Sequence, residues 1–538
     1  VFDHKAGLAM QRRNFLAAAP ALSAATAAAA TDVQTDFRWP ELTAADAAQA
    51  MAEGRLTALA LTQAYLSRIA AIDRAGPRLN SVIELNPDAE AIAAALDAER
   101  AAGRLRGPLH GLPVLLKDNI ATHDRMSNSA GSIALAGVPV AKDATLVARL
   151  REAGAVILGK TNLSEWANFR GKASVSGWSS RGGQTRNAYA LDRSPSGSSS
   201  GTGAALAANL ALLGVGTETD GSVTSPCSVQ ALVGMKPTVG LVSRHGVIPI
   251  APSQDTAGPM CRSVADAALL LWAMAGVDAA DLVTKTQQGR FDRDALLKLP
   301  PGALKGKRLG VAVNLVEGHG RGTVARFEAA LAALEAAGAT LVRAPLPHLP
   351  AMGAGELDVL VHEMAPAMAD YLREFAPGGP FRSMGDLIAF NAAHPETLAL
   401  FGQEWFEASA AAAKTGGVKS RQYLKSLATG RRAARALGID AMLKEHRLHA
   451  IVAPTTGPAW FIDPIKGDQD GTPSATMPAA VAGYPHVTVP MGQVGGLPVG
   501  LSFFGAAWSD AQLLALAADY EQRTRLRSAP QFKPTAIV

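Results

Sequence analysis

Two serine-glycine loops flank a single apolar segment of helix length, and no other feature constrains this chain as tightly. The first is Ser196-Gly197-Ser198-Ser199-Ser200-Gly201-Thr202-Gly203 and the second Gly216-Thr217-Glu218-Thr219-Asp220-Gly221-Ser222. Runs of such small residues let the backbone turn sharply and pack close to other groups. Upstream, Gly111-Leu112-Pro113-Val114-Leu115-Leu116-Lys117-Asp118-Asn119 contains a short buried-looking strand with Lys117 at its end. A serine hydroxyl is a weak nucleophile at neutral pH and needs an adjacent base. A lysine can be that base only if burial or nearby positive charge lowers its pKa. Lys117 can be desolvated by its own strand. Asp118 points to the other face of a strand and need not pair with it. An isolated lysine at a strand end is ordinarily a surface residue, but beside two serine loops it points to acyl transfer.

The pattern resembles the amidase signature family, which cleaves amide bonds with a Ser, cis-Ser, Lys triad. The resemblance spans most of residues 40 to 530. It also rests on Gly183-Gln184-Thr185-Arg186-Asn187, Gly234-Met235-Lys236-Pro237-Thr238-Val239-Gly240, Ser253-Gln254-Asp255-Thr256-Ala257-Gly258-Pro259, Ala482-Gly483-Tyr484-Pro485 and Gly496-Leu497-Pro498-Val499-Gly500. It implies Ser222 as nucleophile, Ser198 as bridging serine after a cis Gly197–Ser198 peptide, and Lys117 as base. The oxyanion donors it implies are the backbone amides of Thr219, Asp220, Gly221 and Ser222; preorganised donors of this kind are a large term in acyl transfer. Asp220 stands where many members have glycine, Glu218 where many have aspartate, and Thr224 where many have arginine. The peptide amidase branch is similar in carrying Glu-Thr-Asp-Gly-Ser, which directs the reading to hydrolysis of C-terminal peptide amides or other small amides. Aryl amides, carbamates and esters are the alternatives within the family. Ser199, Gln184, Trp178, Phe401 and Trp405 are candidates for the substrate pocket. No cofactor and no metal are implied.

A chain of 538 residues could split into several cores, but the resemblance implies one large α/β domain over 31–538, with a central mixed β-sheet covered by helices on both faces. With 48% hydrophobic and 18% charged residues the chain can bury such a core. Its formal net charge of +5 is small for this length, and no basic run with interleaved aromatics suggests nucleic acid. Residues 1–30 read as a twin-arginine export signal: Arg12-Arg13-Asn14-Phe15-Leu16 precedes an Ala-rich stretch, with Ala28-Ala29-Ala30 before Thr31. No other stretch is long and apolar enough to span a membrane. The expectation is a periplasmic or secreted enzyme, monomeric or homodimeric, acting on a small-molecule or peptide amide. Cys227 and Cys261, the only cysteines, are too few for a disulfide scaffold, and their pairing is open.

Helix and strand patterns alternate along the chain. Thr43 caps a helix ending near Gly54, Leu59 to Ile72 has helical spacing, and Leu146 to Ala153 precedes the strand Ala155 to Leu158. Further strands are expected at Leu341, Ala450 to Ala453 and Val487 to Val489. Residues 350–445 differ, with helices over Glu356 to Glu374, Ser383 to Ala393 and Arg421 to Leu443. By resemblance this variable region walls the substrate channel; an outer helical layer is the equal alternative.

Gly197-Ser198-Ser199-Ser200-Gly201 also satisfies the nucleophile elbow of esterases, with Ser199 as nucleophile and His446 or His486 as partner. That elbow must follow a buried strand, and the preceding residues are polar and contain proline. His362-Glu363 lacks the second histidine of a zinc helix, and His446 and His449 lack further ligands. Glutamine amidotransferases share the triad in one of their chains, but those enzymes are cytosolic.

Overall fold

The computed structural model describes residues 38–536, so the expected signal segment lies outside the described residues. Among the described residues thirteen strands occur in chain order: β1 (Val82–Leu85), β2 (Pro113–Lys117), β3 (Val156–Thr161), β4 (Trp178–Ser179), β5 (Gly183–Gln184), β6 (Leu213–Glu218), β7 (Val233–Lys236), β8 (Thr256–Cys261), β9 (Arg308–Ala312), β10 (Thr340–Ala344), β11 (Ala450–Pro454), β12 (His486–Val494) and β13 (Leu497–Phe504). Eleven form one sheet in the order β1-β3-β2-β6-β8-β7-β12-β13-β11-β9-β10, and β4 and β5 make a separate hairpin. The sheet is mixed: β2 runs parallel to β3 and β6, whereas β6 pairs antiparallel with β8. Every residue of β2, β3, β6, β7 and β8 is buried, the signature of strands covered on both faces. The molecule is a single large α/β domain with its mixed sheet flanked by helices, the architecture the family resemblance implies.

Local chemistry sets the element ends. Thr43 accepts from the Asp46 N–H at the start of the helix Ala44–Ala52. Ser383 and Asp386 form a reciprocal capping box on Met384–Ala393. The expected helix from Arg421 to Leu443 is not continuous. It runs over Arg421–Ala434, widens into a π-turn over Arg435–Ile439 and resumes at Asp440–Glu445. Gly438 is the reason: a Cβ there would collide with the Ala433 carbonyl and with Met352, so only glycine lets the wide turn pack against its neighbour.

The helical region is pinned to the sheet domain by Arg170. This fully buried guanidinium pairs with Glu165 at 2.8 Å, donates to the carbonyl oxygens of Phe401 and Gly402, and lies 4.2 Å from the Phe401 ring centroid.

Candidate active site

In the parallel register of β2 and β6, Leu116 faces Val215, so Lys117 and Thr217 leave the two strands side by side at their carboxyl ends. Open α/β sheets place ligands at such ends. Lys117 is fully buried, and its Nζ lies 2.8 Å from Ser198 Oγ. It also donates to Thr217 Oγ1 at 2.9 Å and to the Thr217 carbonyl at 3.2 Å. Burial pushes its pKa down to about 7, against the opposing pull of Glu218 and Asp255. A neutral amine has two N–H groups and one lone pair, and this geometry uses all three: Thr217 takes both N–H bonds and the lone pair is left for the Ser198 hydroxyl. Asp118 turns away, as the strand alternation requires, to Ser129 and, at 3.2 Å, to Arg181.

The Gly197–Ser198 peptide is cis, as the family resemblance implies. Ser198 and Ser222 come from loops tied together by the Ser199 N–H, which donates to the Ser222 carbonyl at 3.1 Å. Gly216 permits this approach, because a Cβ there would lie 2.6 Å from Ser199 Oγ. Ser222 is 8% exposed, and its hydroxyl has no protein partner among the described residues. The link from Lys117 to Ser198 is therefore formed, while the hydroxyls of Ser198 and Ser222 are not hydrogen-bonded to each other. Catalytic contacts of this kind often tighten only once substrate binds.

Gly221 turns the nucleophile loop at φ +75°, a conformation that favours glycine. Among the described residues the N–H groups of Thr219, Asp220, Gly221 and Ser222 have no acceptor in the protein. The turn is held from behind instead. Asp255 accepts from the Thr219 hydroxyl at 2.5 Å, and Glu218 Oε2 accepts from the N–H groups of Val223 and Thr224 at 2.8 and 2.9 Å. The result is four consecutive donors beside a free serine hydroxyl, suited to an oxyanion.

Several residues of the site carried no signal of their own in the sequence. Thr217 and Asn119 both lie inside the motifs that carry the triad; Asn119 Nδ2 donates to Thr217 Oγ1 at 3.0 Å and so fixes which way that hydroxyl faces. Gln254 donates to Glu356 at 2.8 Å and to the Thr219 carbonyl at 3.4 Å, which ties the helical region to the turn.

The pocket candidates have partners of their own within the protein. The Ser199 hydroxyl is fully buried, accepting from the Thr217 N–H at 3.2 Å and donating to its carbonyl at 3.1 Å, so it holds the loop and not a ligand. The Gln184 amide donates to the carbonyls of Ser176 and Thr185, and the residue lines a separate cleft with Arg74, Arg78 and Arg186. Trp178 and Phe401 meet edge to face at 5.4 Å around Arg170, and Trp405 stacks on Phe169. These three aromatic rings dock the helical region. Ser199 is also not an elbow nucleophile: no strand precedes it, and the ring of the buried His486 bonds Ser502. Cys227 and Cys261 are both buried free thiols.

The amidase family model matches residues 60–514. The chain belongs to the amidase family. A probable amidase of Arabidopsis thaliana is 39% identical over 514 residues, 93% of each chain. A putative amidase of Schizosaccharomyces pombe is 35% identical, over 90% of this chain and 85% of its own. Among solved structures, the native peptide amidase of Stenotrophomonas maltophilia superposes with a TM-score of 0.87 at 52% identity, covering 92% of this chain and 99% of that one. This amidase is thus an amidohydrolase by family, with every residue of the family's Ser-Ser-Lys pattern present.

Proposed function

We propose that this amidase releases ammonia from C-terminal peptide amides through an acyl-enzyme on Ser222. The observation that carries this reading is the fully buried Lys117 Nζ held 2.8 Å from Ser198 Oγ. Ser222 rotates about its Cα–Cβ bond toward Ser198 as substrate enters. Its oxygen attacks the carboxamide carbon, its proton passes to Ser198, and the Ser198 proton passes to Lys117. The oxyanion is received by the free N–H groups of the Thr219–Ser222 turn. Collapse breaks the C–N bond, and the proton returns through Ser198 to the leaving nitrogen, which departs as ammonia. Water follows the same route, cleaves the ester and leaves the carboxylic acid. The choice of peptide amides is supported by the 52% identity to a peptide amidase. The helical region over 350–445 walls the substrate channel in this reading, supported by the Glu356–Gln254–Thr219 chain of contacts.

Twin-arginine export to the periplasm or beyond belongs to the same proposal and is supported by Arg12-Arg13 ahead of the Ala-rich stretch. Cell fractionation with N-terminal sequencing tests it, a mature chain starting near Thr31 outside the cytoplasm being the expected result.

The activity is tested by ammonia release from an amidated dipeptide, with Ser222→Ala and Lys117→Ala as controls. Release abolished in both variants is the expected result. If only aryl amides or esters are turned over, the triad stands and the substrate class does not.

A further inference from the structure

Asp220 is an unusual residue to find in an oxyanion turn. Its side chain springs from the same four-residue turn as the nucleophile, two positions before Ser222. Its Oδ1 is shut off from solvent and has no hydrogen-bond partner. The Thr476 hydroxyl, hydrogen-bonded to Ser474 at 2.9 Å, packs against the same turn, and a second carboxyl, Glu356 in the first turn of the helix Glu356–Phe375, acts on Asp220 electrostatically. Glu356 is held in place by Gln254, the residue that also contacts the Thr219 carbonyl. Burial and, next, the neighbouring Glu356 push the Asp220 carboxyl well above the usual carboxylate range. A buried carboxyl oxygen without a donor is unfavourable, and a donor brought by a ligand relieves it.

The chemistry of the turn narrows what that donor is. While the substrate carbonyl carbon is bonded to Ser222 and its oxygen lies on the turn's N–H groups, the substrate atoms nearest an acceptor on the same turn are those attached to the adjoining α-carbon. Simple acyl amides have only C–H bonds there, whereas α-amino-acid and peptide amides carry a nitrogen.

We propose that Asp220 is a specificity residue whose carboxyl accepts the N–H on the α-carbon beside the scissile carboxamide, selecting α-amino-acid and peptide amides over amides without that donor. This rests on the hydrolytic reading above and sharpens it. Glu356 is the positioning partner: with Gln254 it fixes the carboxyl pair against the turn. The selection follows the logic by which a polar group left unpaired penalises an analogue lacking the matching hydrogen bond.

The test is binding to the Ser222→Ala protein, measured by calorimetry with three ligands: N-acetylalaninamide, alaninamide, and O-acetyllactamide, in which an ester oxygen replaces the α-nitrogen. The two nitrogen ligands should bind at least about tenfold more tightly than the oxygen analogue, the size of one discriminating hydrogen bond. The arm that binds better tells a peptide N–H from an ammonium. Introducing Asp220→Gly, the residue common at this place in the family, should bring the ratio near one, and Asp220→Asn, which keeps an acceptor oxygen, should restore part of it. Equal affinity for nitrogen and oxygen ligands, or a preference that survives Asp220→Gly, overturns the proposal. If the preference holds but the wild-type enzyme releases no ammonia, the hydrolytic reading falls and the N–H site stands.

Discussion

Neighbouring strands end in two buried lysines with different surroundings. Lys117 on β2 and Lys160 on β3 are both fully buried, and burial lowers both pKa values, to about 7 and about 8. Their partners are what separate them. Lys160 donates to the Ile120 carbonyl at 2.6 Å and to Asn128 Oδ1 at 3.4 Å, acceptors with no proton to return, and Asp118, Asp124 and Glu84 favour its charge. Lys117 also feels Glu218 and Asp255, but its direct contacts are the Thr217 carbonyl and the hydroxyls of Thr217 and Ser198, of which Ser198 sits on the loop tied to Ser222. Burial alone depresses a lysine. It becomes a base when one of its contacts is a donor that the reaction consumes.

The largest expected effects break that comparison outright. Lys117→Met should lower kcat for ammonia release by about 10³-fold or more, in the range of lost acid-base catalysis, with folding judged by circular dichroism. Lys160→Met should leave kcat within about tenfold while shifting the thermal midpoint. Equal losses of activity would show that burial, and not the Ser198 contact, defines the base.

Arg170→Met tests the docking of the helical region and should cost about 3–5 kcal/mol in denaturant unfolding, because it strands the buried Glu165 carboxylate. Gly221→Ala forces a side chain into φ +75° and sets a Cβ 3.1 Å from Thr476 Oγ1. It should reduce kcat by about 10²-fold through displaced oxyanion donors, with a smaller change in KM.

The pH profile sharpens the comparison further. Lys117 must be neutral to accept a proton, so kcat/KM should fall as pH drops through about 7 and level off above it. Thr217→Val removes one of the two acceptors of Lys117 and the partner of Asn119. It should shift that limb and cost about tenfold in rate, less than Gly221→Ala. A limb that stays in Lys117→Met with its residual activity would assign it to another group.

What the sequence made legible follows from how each feature is encoded. Lys117, Ser198 and Ser222 stand in motifs, and the structure brings all three to one end of β2 and β6. The strands that could be read were short apolar runs bounded by turns, such as Pro113–Leu116. β6, β7 and β8 were harder to read because Gly214, Gly216, Gly234, Gly258 and Pro259 interrupt their apolar pattern, and those same small residues permit close backbone packing at the site. Composition alone does not assign the aromatic candidates, because a large ring in a variable helical region looks the same whether it lines a pocket or, like Phe401 against Arg170, docks a layer. Gln254 and Glu356 lie 102 residues apart, and no local pattern announces a contact across that separation.

The bond between Gln254 and Glu356 has a consequence for how such an enzyme diversifies. In the proposed reading the channel wall is fastened to the oxyanion turn, so a change on one side of the contact bears on the other. Grafting residues 356–434 from a relative without a matching partner at position 254 would change turnover along with preference. On that reading a new substrate range comes with paired exchanges on both sides of the contact.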